Sequence, residues 1–338
     1  MSGLEGLLAG RTLAGRYRVE EVIGRGGFAA VYRAIDERLG RTAAVKVITV
    51  AAQDAATRDQ IRKRFSREAR VAASLDHPNV VTVYDVGTDP DLQLDFLVME
   101  LLQGEDLAHR LARPDRLELP AAVRILRDAA RGIAAGHRGG LIHRDVKPAN
   151  IFLAEHEREH RFRVCVLDFG IAQIRDAENS LTRLTRGATP LSPRYASPEQ
   201  LQESQSLTPA ADVYSLGVIG CELLTWERVV SPEQIRAMTR GERPDAAPIA
   251  LPGAPPELEA TLRRALEWNP EDRFSEAGEM AEALDAVLKS LRAEAAAIAE
   301  REASVRTAAE QVTPAEAAAV VAEQEASEPG PAAVAAEH

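Results

Sequence analysis

The residues best suited to chemistry lie close together in the segment Leu141–Asn150. Asp145, Lys147 and Asn150 place a carboxylate, an ammonium group and a carboxamide within one short turn. Pro148 fixes its own backbone φ at about −65°, which restricts the shapes that this turn can adopt. A restricted turn can hold several side chains toward one reacting group, so we expect a catalytic centre here.

A second carboxylate, Asp168, follows the apolar run Val164–Leu167 and precedes Phe169 and Gly170. The apolar run predicts a short buried strand, and the glycine predicts a flexible backbone after it. Two acids of this kind suggest that one acts as a base and the other binds a metal ion. Either motif alone is weak evidence, because many strands end in an acidic turn.

Together with two upstream segments, these motifs resemble the signature set of the protein kinases. The upstream segments are the glycine-containing Gly24–Val31 and the strand-like Ala44–Lys46. The other members of the set are His143–Asp145 and Asp168–Gly170. The combination is far more specific than any single motif, and it is most similar to the bacterial, eukaryotic-like (Hanks-type) serine/threonine kinases. The resemblance covers residues 17–290.

The resemblance implies an α+β fold with two lobes: a small antiparallel β-sheet with one helix, and a larger, mainly helical lobe. It implies that the γ-phosphoryl group of ATP is transferred to serine and threonine hydroxyls of proteins. Mg²⁺ is the expected metal ion, with Mn²⁺ as an alternative. Lys147, two residues after Asp145, is typical of serine/threonine kinases rather than tyrosine kinases.

Roles for the catalytic residues also follow from the resemblance. Asp145 would accept or orient the proton of the substrate hydroxyl, and Lys147 would steady the transferred phosphoryl group. Asn150 and Asp168 would bind the metal ion, which as a hard cation needs few protein ligands besides phosphate oxygens and water.

Lys46 would bind the ATP phosphates and form an ion pair with Glu68. Apolar spacing predicts a helix over residues 57–74 with Glu68 on its apolar stripe, although the spacing alone leaves open an exposed position at the edge of the stripe. Met99 corresponds to the family's gatekeeper position. The predicted nucleotide-binding set consists of Ile23, Gly24, Arg25, Gly26, Gly27, Phe28, Val31, Ala44, Lys46, Glu100, Leu102, Asp106 and Phe152.

Features of the second half favour a protein kinase over a small-molecule kinase. Ser197–Glu199 resembles the motif that ends the activation segment, and Arg273 is the expected buried partner of Glu199. Three positions depart from the family pattern: Ala29 replaces a glycine, Leu191 replaces a glycine and Ser192 replaces a threonine. These departures are the support for an alternative, a nucleotide-binding pseudokinase scaffold without turnover.

The polar segment between Gly170 and Ser192 carries hydroxyl groups that could be phosphorylated. A phosphate on this segment could bind Arg144, next to the catalytic Asp145, and order the segment. We therefore expect autophosphorylation here, possible within a homodimer, with a solvated loop as the alternative. The candidates, of which Thr182 and Thr185 are favoured, are Ser180, Thr182, Thr185 and Thr189.

The segment His156–His160 matches the zinc-protease pattern His-Glu-x-x-His. That chemistry requires both histidines on one face of a long helix with a further ligand. Here the segment is a charged turn between two strand-like runs, so we do not expect a zinc site.

Composition limits the partners and the compartment. The chain has 338 residues, of which 45% are hydrophobic, so it can fold into two lobes. Its net charge of −11 argues against nucleic acid as a main partner, and no apolar run reaches the roughly 20 residues of a membrane span. Cys165 and Cys221 lie in apolar runs, which suits a reducing compartment. We expect a cytoplasmic protein with protein substrates and ATP as its partners.

The pattern along the chain predicts four segments. Residues 1–16 are predicted to be a flexible leader, 17–103 the N-lobe and 104–290 the C-lobe, with the boundary at Gln103-Gly104. Residues 291–338, rich in alanine and glutamate, are expected to be disordered or partly helical. The predicted N-lobe strands are Tyr17–Ile23, Val31–Ile35, Ala43–Val50, Val80–Val86 and Asp95–Glu100.

Overall fold

The computed structural model describes residues 8–25, 29–48, 69–155, 162–169, 192–202, 204, 206–244, 251 and 253–311. Residues Met1–Val287 form one compact unit, and Leu288–His338 form a second. In the first unit an antiparallel sheet is followed by a mainly helical part. This architecture confirms the predicted α+β fold with two lobes.

The first lobe contains a six-stranded antiparallel sheet with strand order β1-β2-β3-β4-β6-β5. Neighbours in the chain pair in space except at β4, which pairs with β6 because β5 lies at the edge. The strands are β1 (Thr12–Leu13), β2 (Tyr17–Arg25), β3 (Ala29–Asp36), β4 (Arg41–Ile48), β5 (Val83–Asp89) and β6 (Leu94–Met99).

Strand β4 is buried on both faces, as its composition predicts. Val45 and Val47 pack into a core cluster on one face of the sheet. Ala44 and Ile48 pack into a second cluster on the other face. Side chains alternate along a strand, so Lys46 is brought to the same face as Ala44 and Ile48. It is only 6% exposed.

Two sequence-based predictions for this lobe differ from the structure. The predicted flexible leader extends to residue 16, but Leu8 and Leu13 are 1% and 0% exposed in the core. Arg11 and Leu13 lie next to β2, where β1 pairs antiparallel with its beginning. The strand predicted over Val80–Val86 begins later, at Val83, because Val80 forms a parallel bridge with Val166 of the second lobe, in which the Val81 N–H donates to the Val166 carbonyl oxygen.

Residues 69–73 are helical, and Ala69 and Ala72 are buried. They are the described end of the helix that apolar spacing predicts over residues 57–74. The rest of that prediction, including Glu68, lies outside the described residues.

The second lobe begins with a small sheet of order β7-β8-β9 and continues as helices. The change from the first sheet to the second lies between Met99 and Gly104. The strands of the second lobe are β7 (Gly104–Asp106), β8 (Ile151–Glu155) and β9 (Phe162–Val166). Its helices are α1 (Leu107–Ala112), α2 (Leu119–Arg138), α3 (Pro198–Leu201), α4 (Ala210–Thr225), α5 (Pro232–Thr239), α6 (Pro256–Ala265) and α7 (Ala277–Gln311), with 3₁₀ turns at Pro148–Asn150 and Pro270–Asp272.

Helices α2 and α4 form the centre of this lobe, and both agree with their sequence patterns. Helix α2 has Pro120 in its first turn, where the missing N–H costs nothing, and ends at Gly139. Helix α4 is apolar on nearly all sides and is buried from Ala210 to Leu223.

Candidate active site

One cavity of about 540 Å³ is lined by every predicted site residue that the structure describes. It lies between the first sheet and the segment that holds Asp145. Gly26, Gly27, Phe28 and Glu68 lie outside the described residues, so their predicted roles stay predictions. The described residues of the predicted set are Ile23, Gly24, Arg25, Val31, Ala44, Lys46, Glu100, Leu102, Asp106, Asp145, Lys147, Asn150, Phe152 and Asp168.

Strand pairing builds the apolar wall of this cavity. Val31 pairs with Lys46 across β3 and β4, and Ala44 pairs with Met99 across β4 and β6. Register therefore holds the Lys46 ammonium group beside small apolar side chains. This wall suits a ligand that has a flat apolar part next to a charged part.

The link between β6 and β7 supplies backbone groups at the rear of the cavity. The N–H of Glu100 donates to the carbonyl oxygen of Thr82 at 2.9 Å. The carbonyl oxygen of Glu100 and the backbone of Leu102 lie in the link, outside both strands. The Glu100 carboxylate accepts a hydrogen bond of 2.6 Å from Arg163 of β9, an ion pair that sequence reasoning missed. This ion pair joins the link to the second lobe.

Lys46 and Asp168 form an ion pair inside the cavity, with 2.6 Å between Nζ and Oδ2. Burial by itself would raise the pKa of the Asp168 carboxyl, but the Lys46 ammonium group outweighs burial, with help from His143 and Lys147. The net effect lowers the pKa of Asp168 below its usual value. Asp168 is therefore charged at neutral pH and suited to bind a cation. The predicted Lys46–Glu68 pair stays a prediction.

The turn around Asp145 brings three polar side chains together. Lys147 Nζ lies 2.7 Å from Asp145 Oδ2, and Asn150 Nδ2 donates to the Asp145 carbonyl oxygen at 2.8 Å. Pro148 begins a 3₁₀ turn that ends at Asn150, which agrees with the predicted stiff turn. Only the amide nitrogen of Asn150 can donate to a carbonyl group, so its Oδ1 remains as a possible metal ligand.

Asp212 of α4 binds the backbone of the segment that contains Asp145. Its carboxylate accepts the N–H groups of His143 and Arg144 at 2.7 and 2.8 Å, and it lies 2.9 Å from His137 Nε2. The Asp212 residue is 1% exposed, and burial would raise its pKa. The hydrogen bond with His137, electrostatic interactions with the His137 and His143 side chains and the backbone N–H of His143 outweigh that effect and lower the pKa of Asp212.

In the sequence, Asp212–Leu224 is apolar on nearly all sides and predicts a buried helix that Asp212 could cap. In the structure Pro209 is the residue before the helix, and Asp212 lies in the first turn. The signal in the sequence is an acid within an otherwise apolar helix. A buried carboxylate needs partners, and here those partners, His143 and Arg144, lie about 70 positions away in the sequence.

His143 fixes the distance between the two acidic motifs. Its Nδ1 accepts the Asp145 N–H at 3.3 Å, so the ring proton is on Nε2 and is donated to the Leu167 carbonyl oxygen at 2.8 Å. The ring also packs on Phe169, with 5.0 Å between ring centroids. One imidazole thus joins the residue before Asp168 to the backbone of Asp145.

The predicted pair of Glu199 and Arg273 is confirmed. The two side chains form a bidentate ion pair with distances of 2.8 and 3.0 Å, and Arg273 is 2% exposed. The pair joins α3 to the 3₁₀ turn at Pro270–Asp272. Ser192 is half-buried, whereas Leu191 and the predicted phosphorylation sites lie outside the described residues.

His156 and His160 of the zinc-protease pattern also lie outside the described residues, so the expectation against zinc stays a prediction. Within the described residues, no three histidine, cysteine or acidic side chains are grouped as a metal site would require. In the same part of the chain, no helix is both long and apolar enough to cross a bilayer.

A family model described as "Protein kinase domain" matches residues 17–287 of the chain. Among curated proteins, the serine/threonine-protein kinase PknA of Mycobacterium tuberculosis is 35% identical over 282 residues, which cover 82% of this chain and 62% of that protein. PknB of Mycolicibacterium smegmatis is 36% identical over 274 residues, 79% of this chain and 42% of that protein. These relatives are therefore considerably longer than the matched region.

Solved structures are similar as well. The crystal structure of the Mycobacterium tuberculosis PknI kinase domain superposes with a TM-score of 0.61 at 29% sequence identity. The match covers 82% of this chain and 98% of the other chain. The likeness therefore extends over nearly the whole of that kinase domain.

Proposed function

This chain belongs to the protein kinase family, and on that premise we propose that it transfers the γ-phosphoryl group of ATP to serine and threonine hydroxyls of proteins. The observation that carries the proposal is the shared cavity, in which the Lys46–Asp168 ion pair lies beside the cluster of Asp145, Lys147 and Asn150. Phosphoryl transfer requires cations near the phosphates and a base near the attacking hydroxyl. The cavity contains both.

Each charged group has a separate task in the proposed reaction. Lys46 binds α- and β-phosphate oxygens, and Lys147 offsets negative charge on the transferred group. Asp145 orients the substrate hydroxyl and accepts its proton. The carbonyl group of Glu100 and the N–H of Leu102 bind the edge of the adenine base, which lies against Val31 and Ala44.

Asp168 and Asn150 are suited to bind Mg²⁺, with Mn²⁺ as an alternative. One carboxylate and one amide oxygen are hard ligands, and a small set is sufficient for an ion that keeps water and phosphate ligands. When bound, the ion would offset charge on the phosphates. We expect a chelator to abolish phosphate transfer, and Asp168→Asn to raise the metal concentration needed for half-maximal activity.

The test of this function is phosphate transfer from γ-labelled ATP to a generic basic protein. The full chain should incorporate label on serine and threonine, and Asp145→Asn should reduce kcat by about 10²-fold or more, because the proton acceptor is lost. Asp115→Asn is the matched control, since Asp115 is exposed and pairs with Arg110 outside the cavity. Equal activity of the Asp145→Asn and Asp115→Asn variants would contradict the proposed base.

Of the three departures that would support a pseudokinase scaffold, Ala29 lines the described cavity, but the residues that phosphoryl transfer requires line it as well. Lys46, Asp145, Asn150 and Asp168 all line the cavity. A pseudokinase would bind nucleotide but would not transfer phosphate. The unchanged chain and Asp145→Asn would then show no difference in label incorporation. A small-molecule kinase is disfavoured by the Glu199–Arg273 pair and by the similarity to protein kinases.

We also propose autophosphorylation on the segment between Gly170 and Ser192, with Thr182 and Thr185 favoured. The support is Arg144, a cation that directly precedes Asp145 in the sequence. Phosphopeptide mapping after incubation with ATP and Mg²⁺ tests the sites. A rate per molecule that rises with protein concentration would support transfer between two copies in a homodimer.

The remaining proposals concern context. We place the chain in the cytoplasm, with ATP and protein substrates as partners and without a nucleic-acid partner, because its net charge is −11 and both described cysteines are buried thiols. The tail after residue 290 would tether the kinase to a larger signalling assembly. Truncation at residue 290 that left both activity and partner binding intact would remove that role.

A further inference from the structure

Arg144 has a backbone conformation that needs support. Its φ is +65°, in the left-handed region that is unfavourable for a residue with a side chain. The peptide bond after it leads directly to Asp145. The orientation of this peptide therefore decides where the Asp145 carboxylate points.

Two side chains of the second lobe hold the Arg144 backbone from opposite ends. Asp212 accepts its N–H at 2.8 Å, as described above. The Arg144 carbonyl oxygen accepts a hydrogen bond of 2.8 Å from Nε2 of Gln200, on α3. The N–H on the other side of the same peptide, that of Asp145, is donated to His143. The Arg144–Asp145 peptide is thus held at its oxygen and at its nitrogen.

The same Gln200 carboxamide is bonded to the segment that precedes α3. Its Oε1 accepts the Ser197 N–H at 3.0 Å and the Ser197 hydroxyl at 3.1 Å. The amide has one donor end and one acceptor end, and the two ends bind different parts of the chain. Gln200 lies 56 positions from Arg144 in sequence, so only the fold brings them together.

We propose that Gln200 is a positioning residue for phosphoryl transfer. It holds the carbonyl oxygen of Arg144 with its amide nitrogen and Ser197 with its amide oxygen. It thereby couples Ser197, the residue before α3, to the direction of the Asp145 carboxylate. This inference rests on the proposed kinase function and adds a residue to it.

A second glutamine provides a matched control. Gln234 of α5 forms the same helix-start arrangement with Ser231, whose N–H donates to Gln234 Oε1 at 2.9 Å. Both glutamines are half-buried, each three residues after a serine that precedes its helix. In the described residues Gln234 has no bond to the catalytic segment. Only Gln200 should therefore affect catalysis.

The experiment compares Gln200→Glu, Gln200→Met and the same changes at Gln234 in the full chain. Gln200→Glu keeps the acceptor for Ser197 but replaces the donor to Arg144 with an oxygen. Gln200→Met removes both. We expect each Gln200 variant to lower kcat about tenfold or more, because a misplaced reacting group is costly, with KM for ATP within about twofold. The Gln234 variants should leave kcat within about twofold.

Thermal unfolding of all four variants separates positioning from folding. A lower kcat for Gln200→Glu with an unchanged thermal midpoint supports the inference. Equal kcat for the Gln200 and Gln234 variants would overturn it, as would a loss of activity that follows the thermal midpoint alone. If the unchanged chain and Asp145→Asn transfer phosphate equally poorly, the proposed kinase function fails instead, and the two failures can be told apart.

Discussion

Replacement of Arg273 by lysine is the sharpest test of how the second lobe is held together. The Arg273 side chain is 0% exposed, and all five of its N–H donors are used. Two N–H groups bind the Glu199 carboxylate at 2.8 and 3.0 Å. The other three bind the carbonyl oxygens of Glu267, Ala210 and Trp268 at 2.6, 3.1 and 2.7 Å. One guanidinium group thus satisfies four residues.

Lysine keeps the charge but has three N–H donors on a single nitrogen, so at least two of the five bonds are lost. A hydrogen bond to a charged group contributes roughly 1.5–3 kcal/mol, so Arg273→Lys should cost at least about 3 kcal/mol of unfolding free energy. In a domain of this size each 1 kcal/mol lowers the thermal midpoint by roughly 2–4 °C. We therefore expect a decrease of at least about 6 °C.

The assay is thermal unfolding of the nucleotide-free full chain, followed by circular dichroism. Arg240→Lys is the matched control, because Arg240 also binds a carboxylate with two hydrogen bonds, of 2.7 and 2.6 Å, from Nε and Nη2 to Glu242. That pair is exposed, so its loss should not change the midpoint measurably. If Arg273→Lys and Arg240→Lys shifted the midpoint equally, the argument from burial would be refuted.

Three further predictions concern the site itself. Because the pKa of Asp212 is lowered in the folded state, its contribution to stability is present above about pH 4 and is lost as the pH falls through the folded-state pKa. The unfolding free energy of Asp212→Asn should therefore depend less on pH in acid. Equal slopes of unfolding free energy against pH for the variant and the unchanged chain below about pH 4 would contradict this. A Cβ at Gly136 would overlap the Phe169 ring, so Gly136→Ala should displace that ring and lower kcat, measured with the unchanged chain in parallel. Lys46→Met should weaken ATP binding, measured by calorimetry, by about tenfold or more, and it should raise the pKa of Asp168. Unchanged ATP affinity would count against the proposal that Lys46 binds the phosphates.

Local patterns in the sequence are sufficient for much of the fold. The alternation along β4 correctly assigns Lys46 to the same face as Ala44, because side chains of a strand point to opposite faces in turn. The apolar composition of α4 correctly predicts a buried helix. These features depend on residues that are neighbours in sequence, which is why local patterns predict them.

Other features depend on partners that the sequence does not identify. Leu8 and Leu13 lie in a segment without clear periodicity, yet both are buried against the first sheet. Val80 and Val81 look like the start of a strand, but their backbone partner is in the second lobe. Whether a short apolar segment joins a sheet or packs elsewhere is decided by tertiary contacts rather than by its own propensity.

The sequence by itself determined which residues can do chemistry, because motif spacing and residue type are local properties. Residue type and spacing alone are enough to identify Asp145, Lys147, Asn150 and Asp168 as the candidates. Only the tertiary structure decided how those residues are held: Asp212 and Gln200 reach the catalytic segment from positions 56 to 69 residues away. Their role follows from the direction of side chains in space, and a hydrogen bond requires a donor and an acceptor within about 3 Å, a condition that one-dimensional spacing does not specify.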